Sequence, residues 1–132
     1  MTLFDSSVLI DYLDGAEAAV AYVEARSSER AIVPPLVLFE VYQGEVYRSE
    51  PADFDAVDRA LAWLTVVETT AECARIAAEL QDRLHRHGEP LSARDAFVAG
   101  TAIHRDEPLA ASDADFDSPG LRDQLTVDLL RT

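Results

Sequence analysis

Lysine is missing from this chain: all 11 basic residues are arginine, set against 25 aspartates and glutamates for a net charge of −14. Cysteine occurs once, at Cys73, which excludes an internal disulfide and a purely thiolate zinc site. That thiol is expected as a small buried helix residue. No apolar run approaches the ~20 residues that span a bilayer. No basic segment opens the chain and Asp5 interrupts the first apolar stretch, which argues against a secretory signal. Repeats, low-complexity tracts and linker-like composition shifts are also lacking. What is present is 132 residues, 48% of them hydrophobic, enough for one compact core. The expectation is a single domain over 1–132, cytoplasmic and without a membrane partner.

A surface this acidic repels itself in dilute buffer, and molar salt, by cutting the screening length to about 3 Å, removes most of that cost. The composition resembles that of proteins from halophilic archaea. It therefore does not exclude a nucleic acid, although an ordinary RNA-binding protein presents a basic face.

Short β-prone segments alternate with helical ones. An apolar strand at residues 2–4 leads into Asp5, Ser6 and Ser7, which can cap a helix carrying Val8, Leu9, Tyr12 and Leu13 and ending at Gly15. Residues 16–26 read as helix and 31–33 as a buried strand stopped by Pro34 and Pro35. Pro35 suits the first turn of a helix running to about Arg48. Further helices are expected over 51–64 and over 71–87, the second with Ala74, Ala77, Ala78 and Leu84 inward and Gly88 at its end. A strand at 65–67 separates them. Ser92 caps a helix carrying Phe97, Val98, Ala102 and Ile103, and strands follow at 108–111 and 125–129. This alternation predicts an α/β fold with a central parallel sheet, whose ligands bind at the carboxyl ends of the strands.

Four acids stand where that pattern asks for something else. Asp5 is the only charged residue in the first ten and ends the first strand, a position that also suits a helix cap. Glu40, between Phe39 and Val41, is the only charge from Ala31 to Tyr42 in a run that reads as core; a solvated helix face is the alternative. Asp95 follows Ser92 at capping-box spacing. Asp113 lies just past a strand, with Asp115 and Asp117 alternating after it as loop acids do. Jointly they fall at one edge of the expected sheet. Carboxylates so gathered repel unless some take up protons or a cation joins them, and oxygen-only donors suit a hard ion such as Mg²⁺. Asp5 and Asp95 are expected to contact the metal most directly, with Glu40 and Asp113 completing the ring. Such an ion can activate water for phosphodiester hydrolysis.

These residues resemble the PIN-domain ribonucleases, and the VapC toxins among them. LFDSSVLIDYL resembles the family's opening strand, first acid and helix; VPPLVLFEVYQG is similar to the segment with the second acid, LSARDAFVAGTAI to the third, and LAASDADF to the last, with Phe116 as the usual aromatic. The resemblance covers most of the chain and implies a three-layer α/β/α fold and Mg²⁺- or Mn²⁺-dependent endoribonuclease activity. It also implies a homodimer paired with a VapB-type antitoxin, whose peptide crosses the acidic site, often with an arginine on the carboxylates. It carries over Asp5, Glu40, Asp95 and Asp113 as catalytic and metal-binding residues, with Ser7 as hydrogen-bonding support. Ala111 departs from the threonine often found two residues before the fourth acid, which leaves Asp115 as the alternative to Asp113, with Ser112 adjacent as a substitute hydroxyl.

RNA contact falls to arginine, with Arg94, Arg48, Arg83 and Arg86 read chiefly as surface ion-pair partners. Tyr42 and Tyr47 are read as helix-core residues rather than base-stacking ones. A metal-independent nuclease built on His85 and His87 is disfavoured, since residues two apart face different directions on a helix. A receiver domain needs a lysine that this chain lacks. A PIN nuclease of RNA maturation without an antitoxin, and a non-catalytic scaffold that only binds RNA or protein, are the other readings.

Overall fold

The computed structural model describes residues 1–130. Its five strands are β1 (Thr2–Phe4), β2 (Ala31–Val33), β3 (Leu64–Val66), β4 (Leu109–Ala111) and β5 (Val127–Leu129), in one parallel sheet of order β3-β2-β1-β4-β5. The helices are α1 (Ser6–Leu13), α2 (Glu17–Ala25), α3 (Pro35–Arg48), α4 (Phe54–Ala60), α5 (Ala71–Arg86), α6 (Ala93–His104) and α7 (Pro119–Arg122). The three central strands are buried along their whole length, as a parallel sheet covered on both faces requires. In register, Leu3 pairs with Ile32 on one side and Leu109 on the other.

The strand order decides where a ligand can sit. From β1 the chain steps outward to β2 and β3, then returns past β1 to β4 and β5. Because parallel crossovers are right-handed, that reversal divides the helices between the two faces. The packing follows the division: α1 lies against α2 and α3, and α3 against α4, while α5 packs on α6 and α7. The chain diverges to opposite faces beyond β1 and β4, and this switch point opens a crevice at their carboxyl ends.

Local chemistry explains most of the boundaries. Pro35 starts α3 at its first position, and Ser92 caps α6 by accepting a hydrogen bond from the Asp95 N–H at 3.1 Å. Gly88, with φ of 73°, turns the chain out of α5. Three expectations need correction. The helix expected over 51–64 is only Phe54–Ala60. Asp53 caps it by accepting from Ala56 N at 3.0 Å and donates its own N–H to the buried Glu45 carboxylate at 2.9 Å, which holds the preceding chain outside the helix. Three strand boundaries shift: β3 is Leu64–Val66, one residue early, and β4 and β5 start one and two residues late, at Leu109 and Val127. On α5 the buried face is Cys73, Ala77, Leu80 and Leu84, and Ala74 and Ala78 are exposed. Alanine is compatible with either side of a helix, so its pattern alone did not orient α5.

Candidate functional site

Asp5 leaves the end of β1, where its N–H donates to Ala110 O of β4 at 2.9 Å, so its backbone sits across the switch point. Its side chain caps α1: Oδ2 accepts from Ser7 N at 3.2 Å and from Ser7 Oγ at 2.6 Å. Ser7 Oγ in turn accepts from Ser112 N at 2.9 Å, beyond β4. The cap expected of Asp5 is thus present, and it uses one carboxylate oxygen.

The other oxygen, Asp5 Oδ1, lies 2.6 Å from Arg94 Nη2 as an ion pair, without a hydrogen bond of good angle. Arg94 is the centre of the site. Its Nε donates to Glu40 Oε2 at 2.7 Å, its Nη1 to Asp95 Oδ1 at 2.6 Å, and its Nη2 to Ser6 Oγ at 2.9 Å and to Glu40 Oε1. One guanidinium thereby joins acids from the cap of α1, the middle of α3 and the first turn of α6. The ion pairing expected of Arg94 is present, but not at the surface: it is partly buried among three carboxylates. A signal for this was available, since a cation in the first turn of a helix opposes the helix dipole and needs nearby anions to hold it.

Burial works against the charge on Arg94. The hydrogen bonds to Glu40, the charge of Asp5 and the bond to Asp95 outweigh burial and hold its pKa above the ordinary arginine value. Burial raises the Asp95 pKa above the usual aspartate value; bonds from Arg94 and Ser92 pull it down without cancelling, and the charge of Asp5 adds to the rise.

Asp113 and Asp115 complete the arrangement from the other side. Asp113 caps the short 3-10 turn Ala114–Phe116, its Oδ1 accepting from Asp115 N at 2.9 Å. Asp95, Asp113 and Asp115 each bring a carboxylate oxygen within 4.8 Å of the others, a spacing a single cation can bridge. Ser112 Oγ, buried here, lacks a hydrogen-bond partner, and Asp5 Oδ1 is held only by the Arg94 ion pair. The all-oxygen donor set fits a hard divalent ion. Ser112, the neighbour of Ala111, meets Ser7 through its backbone N–H and not its hydroxyl.

Other expected contributors lie elsewhere. Arg48 pairs with Asp14 at 2.5 Å and Arg86 with Asp82 at 3.1 Å, both as surface ion pairs. Tyr42 is half-buried and donates to Asp58, but Tyr47 is 83% exposed, against the helix-core expectation. Phe39 is exposed as well, so the run around Glu40 is not continuous core. His85 and His87 are exposed at the end of α5.

The sequence pattern of the PIN domain matches residues 2–120. The chain belongs to the PIN domain family. Solved structures with this PIN fold include FitAcB of Neisseria gonorrhoeae (TM-score 0.80, 20% identity, 96% of each chain covered). VapBC2 of Rickettsia felis, solved bound to a DNA fragment from its promoter, is similar at TM-score 0.77 and 17% identity, with 98% of each chain covered. VapC20 of Mycobacterium tuberculosis, a toxin that cleaves the sarcin-ricin loop, is similar at TM-score 0.65 and 21% identity, covering 89% of this chain and 93% of that one. No curated protein sequence matches. The parallel five-stranded sheet flanked by helices is the expected α/β architecture. No helix of the described residues is long and apolar enough to cross a membrane.

Proposed function

We propose that this PIN domain is a Mg²⁺-dependent endoribonuclease, comprises a single domain over 1–132, and acts as the toxin of a VapBC-type pair in the cytoplasm. One observation carries the reading: acids distant in sequence, Asp5, Glu40 and Asp95, converge on one guanidinium at the switch point, with Asp113 and Asp115 beside Asp95. The similarity to VapC-type structures supports the same activity.

Asp5, Glu40, Asp95 and Asp113 would hold the ion, with Asp115 at its edge and Mn²⁺ able to replace Mg²⁺. When bound, the ion supplies a water of lowered pKa and neutralises charge on the phosphodiester oxygens. The protein's own part is to fix the donors. Ser7 takes up one oxygen of Asp5 and leaves the other facing the cluster. The Ser92 cap sets the turn from which Asp95 projects. Asp113 is held by its bond from Asp115 N.

An exposed apolar strip, Phe39, Val46 and Tyr47 of α3 with Phe54 of α4, continues from the Glu40 turn and supports a protein partner. The antitoxin and a second copy of the chain are the partners this reading requires.

The test is cleavage of a structured RNA at high KCl, with Mg²⁺ or with excess EDTA, by wild type and Asp5→Asn. Asparagine caps a helix as well as aspartate, so the variant should keep its circular dichroism and lose activity by roughly 100-fold or more. Full activity in Asp5→Asn, or cutting undiminished by EDTA, would overturn the proposal. RNA binding without any cutting would favour a scaffold.

A further inference from the structure

We propose that Arg94 is a displaceable internal cation, which closes the carboxylate ring in the metal-free protein and competes with the divalent ion for it. The inference rests on the metal-dependent reading above and concerns how that site is regulated.

The guanidinium divides the acids into two sets. Asp5 and Glu40 are engaged by Arg94, and Asp113 and Asp115 stand with Asp95; Asp95 alone belongs to both, bonded to Arg94 and within bridging distance of the other two. Among the described residues, the acids close enough to share one ion are Asp95, Asp113 and Asp115, without Asp5 and Glu40. Withdrawal of the guanidinium frees the oxygens of Asp5, Glu40 and Asp95 that it now occupies.

Charge and mobility agree on which group yields. Three acidic side chains face a single guanidinium, a formal excess of negative charge that still draws a divalent ion. The first turn of α6 presents its positive dipole end there, which offsets part of the attraction the acids exert on the arginine. Asp5 and Asp95 are fixed, with side chains 2% and 7% exposed, whereas Arg94 and its partner Glu40 are 25% and 26% exposed. Arg94, on the longer stem, is therefore the cation that can swing to solvent while Asp5 and Asp95 stay.

Mn²⁺ binding to wild type, Arg94→Gln and Arg94→Lys, measured by calorimetry at high KCl, tests this. Arg94→Gln should bind Mn²⁺ roughly tenfold more tightly, since the ion no longer breaks charge-assisted hydrogen bonds. Arg94→Lys keeps the charge without the bidentate fork and should fall between the two. A wild-type measurement makes the proposal independent of whether the variants fold: the Arg94 Nε–H resonance, protected by Glu40, should shift and lose protection on saturation with Mg²⁺. Equal or weaker Mn²⁺ binding in Arg94→Gln, or an unmoved resonance at saturating Mg²⁺, overturns the proposal and leaves the nuclease reading standing. Absence of metal binding in all three proteins overturns both.

Discussion

Asp113 and Asp115 are two residues apart, yet their surroundings differ enough to assign them different weights. Asp113 is half-buried and held as the cap of a 3-10 turn, whereas Asp115 is exposed and contributes its backbone N–H to that cap. A fixed carboxylate loses less freedom on taking a ligand than a solvated one. Asp113→Asn, which retains the cap, is therefore expected to reduce RNA cleavage by about 10-fold or more, and Asp115→Asn by less than about 3-fold. Initial rates at saturating Mg²⁺ check this, and a larger loss in Asp115→Asn would reverse the assignment. Ser7 shows the same economy: one hydroxyl receives the Ser112 N–H and donates to Asp5, tying the ends of β1 and β4 together.

At the scale of elements, the critical contact is between α5 and α6, because α6 carries both Arg94 and Asp95. The two helices approach so closely at Gly100 that an added Cβ would stand 2.7 Å from both Cα and Cβ of Ala77. Backbone cannot yield as a flexible side chain does. Gly100→Ala gains about 1 kcal/mol of helix propensity, but the forced separation costs typically 1–3 kcal/mol. The expected result is a net loss of stability in urea unfolding, together with weaker Mg²⁺ binding as the first turn of α6 shifts. An unchanged midpoint and unchanged metal affinity would show that α5 and α6 have slack at this crossing. Elsewhere, α2 and β5 are joined by the Tyr22 hydroxyl, which donates to Asp128 at 2.6 Å.

Over the whole molecule, the net charge of −14 acts against compactness, and with no lysine present its relief falls to arginine and dissolved cations. Several arginines are already used in pairs, among them Arg48 with Asp14 and Arg122 with Asp117. Screening of the remaining repulsion should raise the thermal midpoint by roughly 5 °C or more between about 0.1 M and 2 M KCl. Differential scanning calorimetry in KCl and in an equal osmolality of sucrose separates screening from general exclusion effects. A midpoint independent of KCl would remove the halophilic reading of the composition while leaving the fold and site untouched.

Much of this protein was legible in one dimension because the responsible forces are local. Pro35 at a helix start, the Ser92 cap, the Gly88 turn and the apolar bursts at β1, β2 and β4 act through near neighbours, and the structure contains each where expected. So were the acids that interrupt the pattern, since a charge amid apolar residues is conspicuous without coordinates. Other features depend on what packs against what. Alanine has no side-chain preference strong enough to orient α5, and Tyr47 and Phe39 point outward despite their hydrophobic character. The hub formed by Arg94 was settled only in three dimensions. Its partners lie 88, 54 and 1 residues away, at Ser6, Glu40 and Asp95, and are brought together when the chain folds back past β1. A guanidinium selects anions by distance through space, and sequence separation carries no information about that distance.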